Sequence, residues 1–156
     1  AFDPALLDVL VQYRPGYVLM HCQGVPGTMQ QNPHYNDVVS EVTAFFEEKM
    51  NVLVNAGFPE ENILLDPGIG FGKKMEHNLA LMAHPEAWER LGRPSLMALS
   101  MKSVFNDLLG LPVESRGPAT QTATALCYTR GYAWHRVHDA RAASQALRLA
   151  DAFMNA

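Results

Sequence analysis

Three short polar clusters in this sequence hold residue types able to do chemistry together: Asp66-Pro67-Gly68-Ile69-Gly70-Phe71-Gly72-Lys73, Ser100-Met101-Lys102-Ser103 and Arg136-Val137-His138-Asp139. A carboxylate such as Asp66 accepts paired, strongly directional hydrogen bonds from an amidine-like ring edge. It also caps turns, because Asp followed by Pro and Gly is ordinary turn chemistry, and both readings stand at this level. The glycines after it fit neither GxxxxGK[ST] nor GxGxxG, since they alternate and Lys73 is followed by Lys74. They read better as a stretch where backbone approaches a flat ligand, with Phe71 as an apolar wall.

Lys102 follows Ser100 by two residues, so a strand continuing through them would put both on one face. A lysine opening a helix is opposed by the helix dipole. It is either a solvated surface group, as most lysines are, or one held there by an anion or an electron-rich ligand. Arg136 and His138 likewise share one side of a strand, alternating with Val137. A guanidinium fork and an imidazole aimed at one point suit an oxyanion such as phosphate or diphosphate, helped by the N-terminal amides of a helix starting near Asp139. The alternative is an Arg136 paired with a buried acid and a structural His138. His21 and Cys22 lack the HxxE or CxxC spacing of a metal site, and packing roles are expected for both. His77, His84 and His135 have no partners at ligand spacing, and no metal is inferred from them.

The elements that must position these clusters follow from composition and patterning. At 156 residues the chain has room for one ordinary domain. With 48% hydrophobic and 18% charged residues, intrinsic disorder is excluded. Twelve Lys and Arg face sixteen Asp and Glu without a basic run, which argues against a nucleic-acid backbone as partner. Two cysteines, Cys22 and Cys127, suit a reducing cytosol rather than a disulfide framework. Apolar stretches break within about ten residues, short of the roughly 20 a membrane helix needs. The acidic start, AFDPALLDVL, is not expected to be a signal peptide.

Residues 3–13 read as a helix with Asp3 as N-cap, Pro4 at its first position, and an apolar stripe of Leu6, Leu7, Leu10 and Val11. Residues 17–20 read as a strand buried on both faces, and 23–34 as a loop. Helical spacing runs from Tyr35 through Val54, closed by Gly57. The alternation then repeats: strand 62–65, helix 77–90 with an interruption at Pro85, strand 95–99, helix 120–130, strand 133–137, and a helix from Asp139 to Met154. Four strand-then-helix units with short apolar strands predict a parallel sheet covered by helices. Ligands gather at the carboxyl ends of such strands, where His21, Asp66, Lys102, Arg136 and His138 fall.

The DPGIGFGK and RVHD segments, with Val18-Leu19-Met20-His21-Cys22-Gln23-Gly24, Pro26, Thr28-Met29-Gln30 and Ser100 to Ser103 in this order, resemble the C-terminal half of the dihydropteroate synthases, the pterin-binding enzymes of folate synthesis. The resemblance implies an α/β (β/α)8 TIM barrel, with residues 1–156 covering about its last four βα units. It implies a cytoplasmic transferase that joins 4-aminobenzoate to 6-hydroxymethyl-7,8-dihydropterin diphosphate with Mg²⁺ assisting. Asp66 and Lys102 would be catalytic and, with Met20, would bind the pterin. Phe71 and Ser100 would shape the aminobenzoate and sulfonamide site, and Arg136 and His138 would hold the diphosphate. A homodimer is implied too, as is an N-terminal half, or another chain, to complete the barrel. Three places depart from the family pattern: Met101 stands where an Arg is usual, Ala98 where a Gly is usual, and Ser115-Arg116-Gly117-Pro118 replaces an Arg-Leu-Ser-Gly-like stretch. Those departures keep two alternatives open, a non-catalytic pterin-barrel relative acting as a partner subunit and a pterin-dependent methyltransferase.

Overall fold

Residues 17–20 are continuously apolar and extended, and they form β1 (Tyr17–Met20), which pairs in parallel with β2 (Ile63–Asp66). The register sets Met20 directly opposite Asp66. A second parallel pair joins β3 (Leu96–Met97) to β4 (Trp134–His135), and a parallel bridge between Leu65 and Ser95 connects β2 to β3. The four strands therefore run in chain order and in one direction, so their carboxyl ends share one rim. This computed structural model describes Asp3 and residues 5–156.

The helix α1 (Leu6–Tyr13) precedes β1; between the strands lie α2 (Val38–Asn55), α3 (Met75–Ala83), α4 (Glu86–Glu89), α5 (Val104–Leu109) and α6 (Gly117–Thr129), and α7 (Ala140–Met154) follows β4. Asp37 caps α2 by accepting the N–H groups of Val39 and Ser40, while Glu41 reaches back to those of Asn36 and Asp37. Gly57, at φ +93°, ends the same helix: its N–H bonds the Val54 carbonyl and that of Phe58 bonds the Leu53 carbonyl. Asp139 caps α7 through Ala142 N–H, as expected. The expected break at Pro85 separates α3 from α4.

The core lies on the helix side of the sheet. Leu19, Ile63 and Leu65 are buried there against Val42, Phe46 and Leu81 of the surrounding helices. Trp88 stacks edge-on to Phe46 at 5.7 Å, faces Tyr132 at 6.4 Å, and donates its indole N–H to Ser95 Oγ. The Tyr132 hydroxyl donates to the Leu81 carbonyl. Each such fully buried large side chain contributes roughly 1.5–3 kcal/mol to holding the strand ends in place.

Four expectations need correction. Ala5, not Asp3, stands at the N-cap of α1; Asp3 instead accepts the Ala5 N–H in a local turn, the usual competitor of a cap. Pro4 lies outside the described residues. The strand β1 is buried on one face only: Val18 is 39% exposed, because successive side chains alternate and nothing among the described residues covers the face opposite the helices. The third and fourth strands are two residues long rather than five, although Arg136 N–H still bonds the Met97 carbonyl beyond the ladder.

Candidate active site

Asp66 is the last residue of β2 and is 1% exposed. Its Oδ1 accepts the Gly68 N–H at 2.8 Å, so the turn-capping role read from DPG is real. Its Oδ2 is buried with no hydrogen-bond partner among the described residues. Buried polar atoms are almost always bonded, so one oxygen serves the turn and the other is held ready for a donor. Burial raises the Asp66 pKa, against the opposing pull of the Gly68 N–H and the charges of Lys102, Arg136 and Lys73.

The glycines after Asp66 let two loops interlock. Gly68 sits at φ +70°, where a Cβ would lie 1.8 Å from the His21 carbonyl oxygen. At Gly72, φ +63°, a Cβ would lie 2.2 Å from that of Gln23. Glycine is thus required by contact as well as by backbone angle. Tyr35 fastens the same loop by donating to the Gly72 carbonyl at 2.8 Å.

Lys102 is half-buried, not a solvated surface group. Its ammonium donates to the Ile69 carbonyl and lies 4.5 Å from the Phe71 ring centroid. Burial lowers its pKa to about 8, with Asp66 pulling it up and Arg136 pushing it down. The expected strand pleat does not carry Ser100 and Lys102 to one side, because the backbone turns at Met101, φ +61°. That turn is held by Thr120 Oγ1, which accepts the Met101 N–H, and by Arg116 Nη1, which donates to the Met101 carbonyl. Ser100 and Lys102 nevertheless line one cavity of about 270 Å³ with Ala98, Arg136, Val137 and His138.

In that cavity Ser100 Oγ lies 2.9 Å from His138 Nδ1 and accepts the His138 backbone N–H. The pair commits Nδ1, so Nε2 is the ring nitrogen left for a ligand. Among the described residues Arg136 makes no ion pair. Ser100, Lys102, Arg136 and His138 are thus together. Asp66 feels the charges of Lys102 and Arg136, Phe71 lies under Lys102, and Met20 is the register partner of Asp66; none of the three lines the cavity. The arrangement offers a carboxylate oxygen for ring N–H groups beside a cationic seat for an anion.

Sequence reasoning missed Lys73. It is 2% exposed; its ammonium donates to the carbonyls of Gly68 and Phe71 and lies 2.9 Å from His21 Nδ1. Burial brings its pKa down to about 7. Its only sequence signal is its place as the lysine that closes DPGIGFGK, a loop that matches no phosphate-loop pattern. His21 is buried, lies edge-on to Phe45 at 4.9 Å, and has its pKa lowered to about 3 by burial and by Lys73.

Magnesium takes hard oxygen ligands, carboxylates above all. Among the described residues no three His, Cys, Asp or Glu side chains converge to hold a metal, and the cavity is lined by cationic and neutral groups. The residues present do not form a Mg²⁺ seat by themselves. Among the described residues no helix is long and apolar enough to cross a membrane.

A sequence profile described as "Pterin binding enzyme" matches residues 1–138. Dihydropteroate synthase of Haemophilus influenzae is 36% identical over 154 residues, covering 99% of this chain and 56% of that protein. Dihydropteroate synthase of Yersinia pestis, solved with a sulfonamide drug complex, superposes with a TM-score of 0.94 at 31% identity, over 99% of this chain and 56% of that one. The Xanthomonas albilineans enzyme, solved in complex with 7,8-dihydropteroate, gives 0.90 at 35%, with the same coverage. The chain spans about half the length of the relatives it matches, and its four parallel strands are part of a (β/α)8 barrel. A profile match over most of the length and relatives above 30% identity agree with the carboxylate-and-cation rim: the chain belongs to the pterin binding enzyme family.

Proposed function

We propose that this chain is the C-terminal half of a dihydropteroate synthase. The amine of 4-aminobenzoate displaces diphosphate from the methylene carbon of 6-hydroxymethyl-7,8-dihydropterin diphosphate and yields 7,8-dihydropteroate. The C–O bond to diphosphate breaks with its electron pair leaving on oxygen, the C–N bond forms, and the amine loses a proton. The observation that carries this reading is the unpartnered, buried Asp66 Oδ2 beside the Lys102 and Arg136 charges on one rim.

In this reading Asp66 Oδ2 accepts an N–H of the pterin ring edge, while Met20, its register partner, lines the ring. Positive charge that develops on the pterin as diphosphate departs is favoured by the carboxylate. Arg136 and His138 Nε2 hold the diphosphate, and the α7 N-terminus adds its amides. Lys102, over Phe71, sits between the ring and the aminobenzoate; Phe71 and Ser100 shape the aminobenzoate side. None of these roles passes through Mg²⁺, for which the described residues form no seat.

The half-barrel reading is supported by Val18, exposed on the face opposite the helices, where an N-terminal half would pack. A homodimer through α6 and α7 is supported by Leu126, Leu149 and Phe153, 61%, 74% and 83% exposed along one groove. The thiols Cys22 and Cys127 support a reducing, cytoplasmic setting.

Calorimetry on the complete barrel with pterin diphosphate and then 4-aminobenzoate, with and without Mg²⁺, tests the proposal. Ordered binding with formation of dihydropteroate is expected. No pterin binding overturns it, and pterin binding without turnover points to the non-catalytic relative instead.

A further inference from the structure

We infer that Lys73 is a positioning residue of the pterin seat, holding the 68–71 loop against His21 and through that loop aiming Asp66 and Phe71. The inference rests on the reading of Asp66 as the pterin carboxylate.

An ammonium has three N–H donors, and all three are spent on neutral acceptors: the Gly68 carbonyl at 3.0 Å, the Phe71 carbonyl at 3.1 Å and His21 Nδ1 at 2.9 Å. Among the described residues no carboxylate is in ion-pair contact with it. A methionine of similar volume would fill the same space without the desolvation cost of a buried charge. What a methionine could not do here is hold two carbonyls and a ring nitrogen in fixed places.

Those two carbonyls flank the functional groups. Gly68 is gripped from both sides, its N–H by Asp66 Oδ1 and its carbonyl by Lys73. Phe71 is gripped likewise, its carbonyl by Lys73 and its ring face by Lys102, which also takes the Ile69 carbonyl. The loop is therefore pinned between two amines, one inside and one on the ligand side. Since an ammonium can only donate, His21 must present a bare Nδ1 and carry its proton on Nε2. The charges facing Lys73 act in both directions: Cys22 and Asp66 favour its proton, and Lys102 opposes it.

The test is Lys73→Met in the complete barrel, with two ligands measured separately. Affinity for a dihydropterin lacking diphosphate is expected to fall about tenfold or more, the scale of a lost charge-assisted bond, while pyrophosphate binding at Arg136 and His138 is unchanged. Equal losses for both ligands, or none for either, overturn the inference. A measurement on the unaltered protein does not depend on the variant folding: ¹⁵N shifts of His21 at about pH 6 should report the Nε2–H tautomer, and an Nδ1–H tautomer overturns the contact. If the parent binds no pterin, the functional reading fails and this role with it. A parent that binds pterin beside an indifferent variant removes only the role of Lys73.

Discussion

The Ser100 hydroxyl stands 2.9 Å from Nδ1 of His138 and accepts the backbone N–H of the same histidine at 3.3 Å. One side chain three residues beyond the third strand thus fixes both the ring and the main chain after the fourth. Ser100→Ala is expected to weaken pyrophosphate binding by about fivefold, in keeping with roughly 1 kcal/mol for one hydrogen bond. Ser100→Thr, which keeps the hydroxyl, should retain most of the affinity. Calorimetry with pyrophosphate checks both, and an alanine variant that binds as tightly as the parent would remove Ser100 from the anion seat.

Arg136 is exposed, lines the cavity and makes no ion pair among the described residues. Its fork is free for an anion. Arg136→Ala is expected to weaken diphosphate-bearing ligands roughly 10- to 100-fold, the range for hydrogen bonds to charged groups. A pterin without diphosphate should be affected much less. Equal losses for the two ligands would show that Arg136 shapes the ring site instead.

Much of this rim is legible in the primary structure because its signals are local. The DPG turn marks Asp66, apolar runs mark the strand ends, and Asp139 marks the start of α7. Interactions between distant residues are another matter. Lys73 and His21 are 52 positions apart, Ser100 and His138 are 38, and no periodicity joins either pair. Nor does a pleat argument foresee Met101: a methionine at positive φ is tolerated because Arg116 and Thr120 hold its peptide groups from another helix. The one-sided exposure of Val18 escaped as well, since an apolar run reads as buried whether or not the covering elements belong to the same chain.

Gly68 and Gly92 separate contact from backbone strain. Both have positive φ, +70° and +66°, yet a Cβ at Gly68 would lie 1.8 Å from the His21 carbonyl oxygen and one at Gly92 meets nothing within 4 Å among the described residues. Gly92→Ala should cost only the left-handed penalty, about 1–2 kcal/mol. Gly68→Ala adds a collision between two loops and should cost roughly 3 kcal/mol or more, with loss of pterin binding. Denaturant midpoints measure the difference, and equal costs at the two sites would refute the interlocked loops.

Asp66 exchanges stability for a poised carboxylate, and the pH dependence has a definite sign. Its folded pKa is raised above 3.8 by burial, even with Lys102, Arg136 and Lys73 nearby. Between 3.8 and that higher value the native state holds more protons than the unfolded chain, so stability falls as pH rises through this window. Below it the carboxyl is neutral in both states and nothing is lost; above it the full desolvation cost of the charge is present. Asp66→Asn keeps an acceptor for the Gly68 N–H and removes the charge. The variant is expected to melt higher than the parent near neutral pH and to match it in acid, while pterin affinity drops by about 100-fold with the loss of a charge-assisted pair. Melting curves of both proteins across pH check the first part and calorimetry the second. A variant less stable than the parent at neutral pH would mean that the cationic rim outweighs burial, and that Asp66 is there to hold the fold.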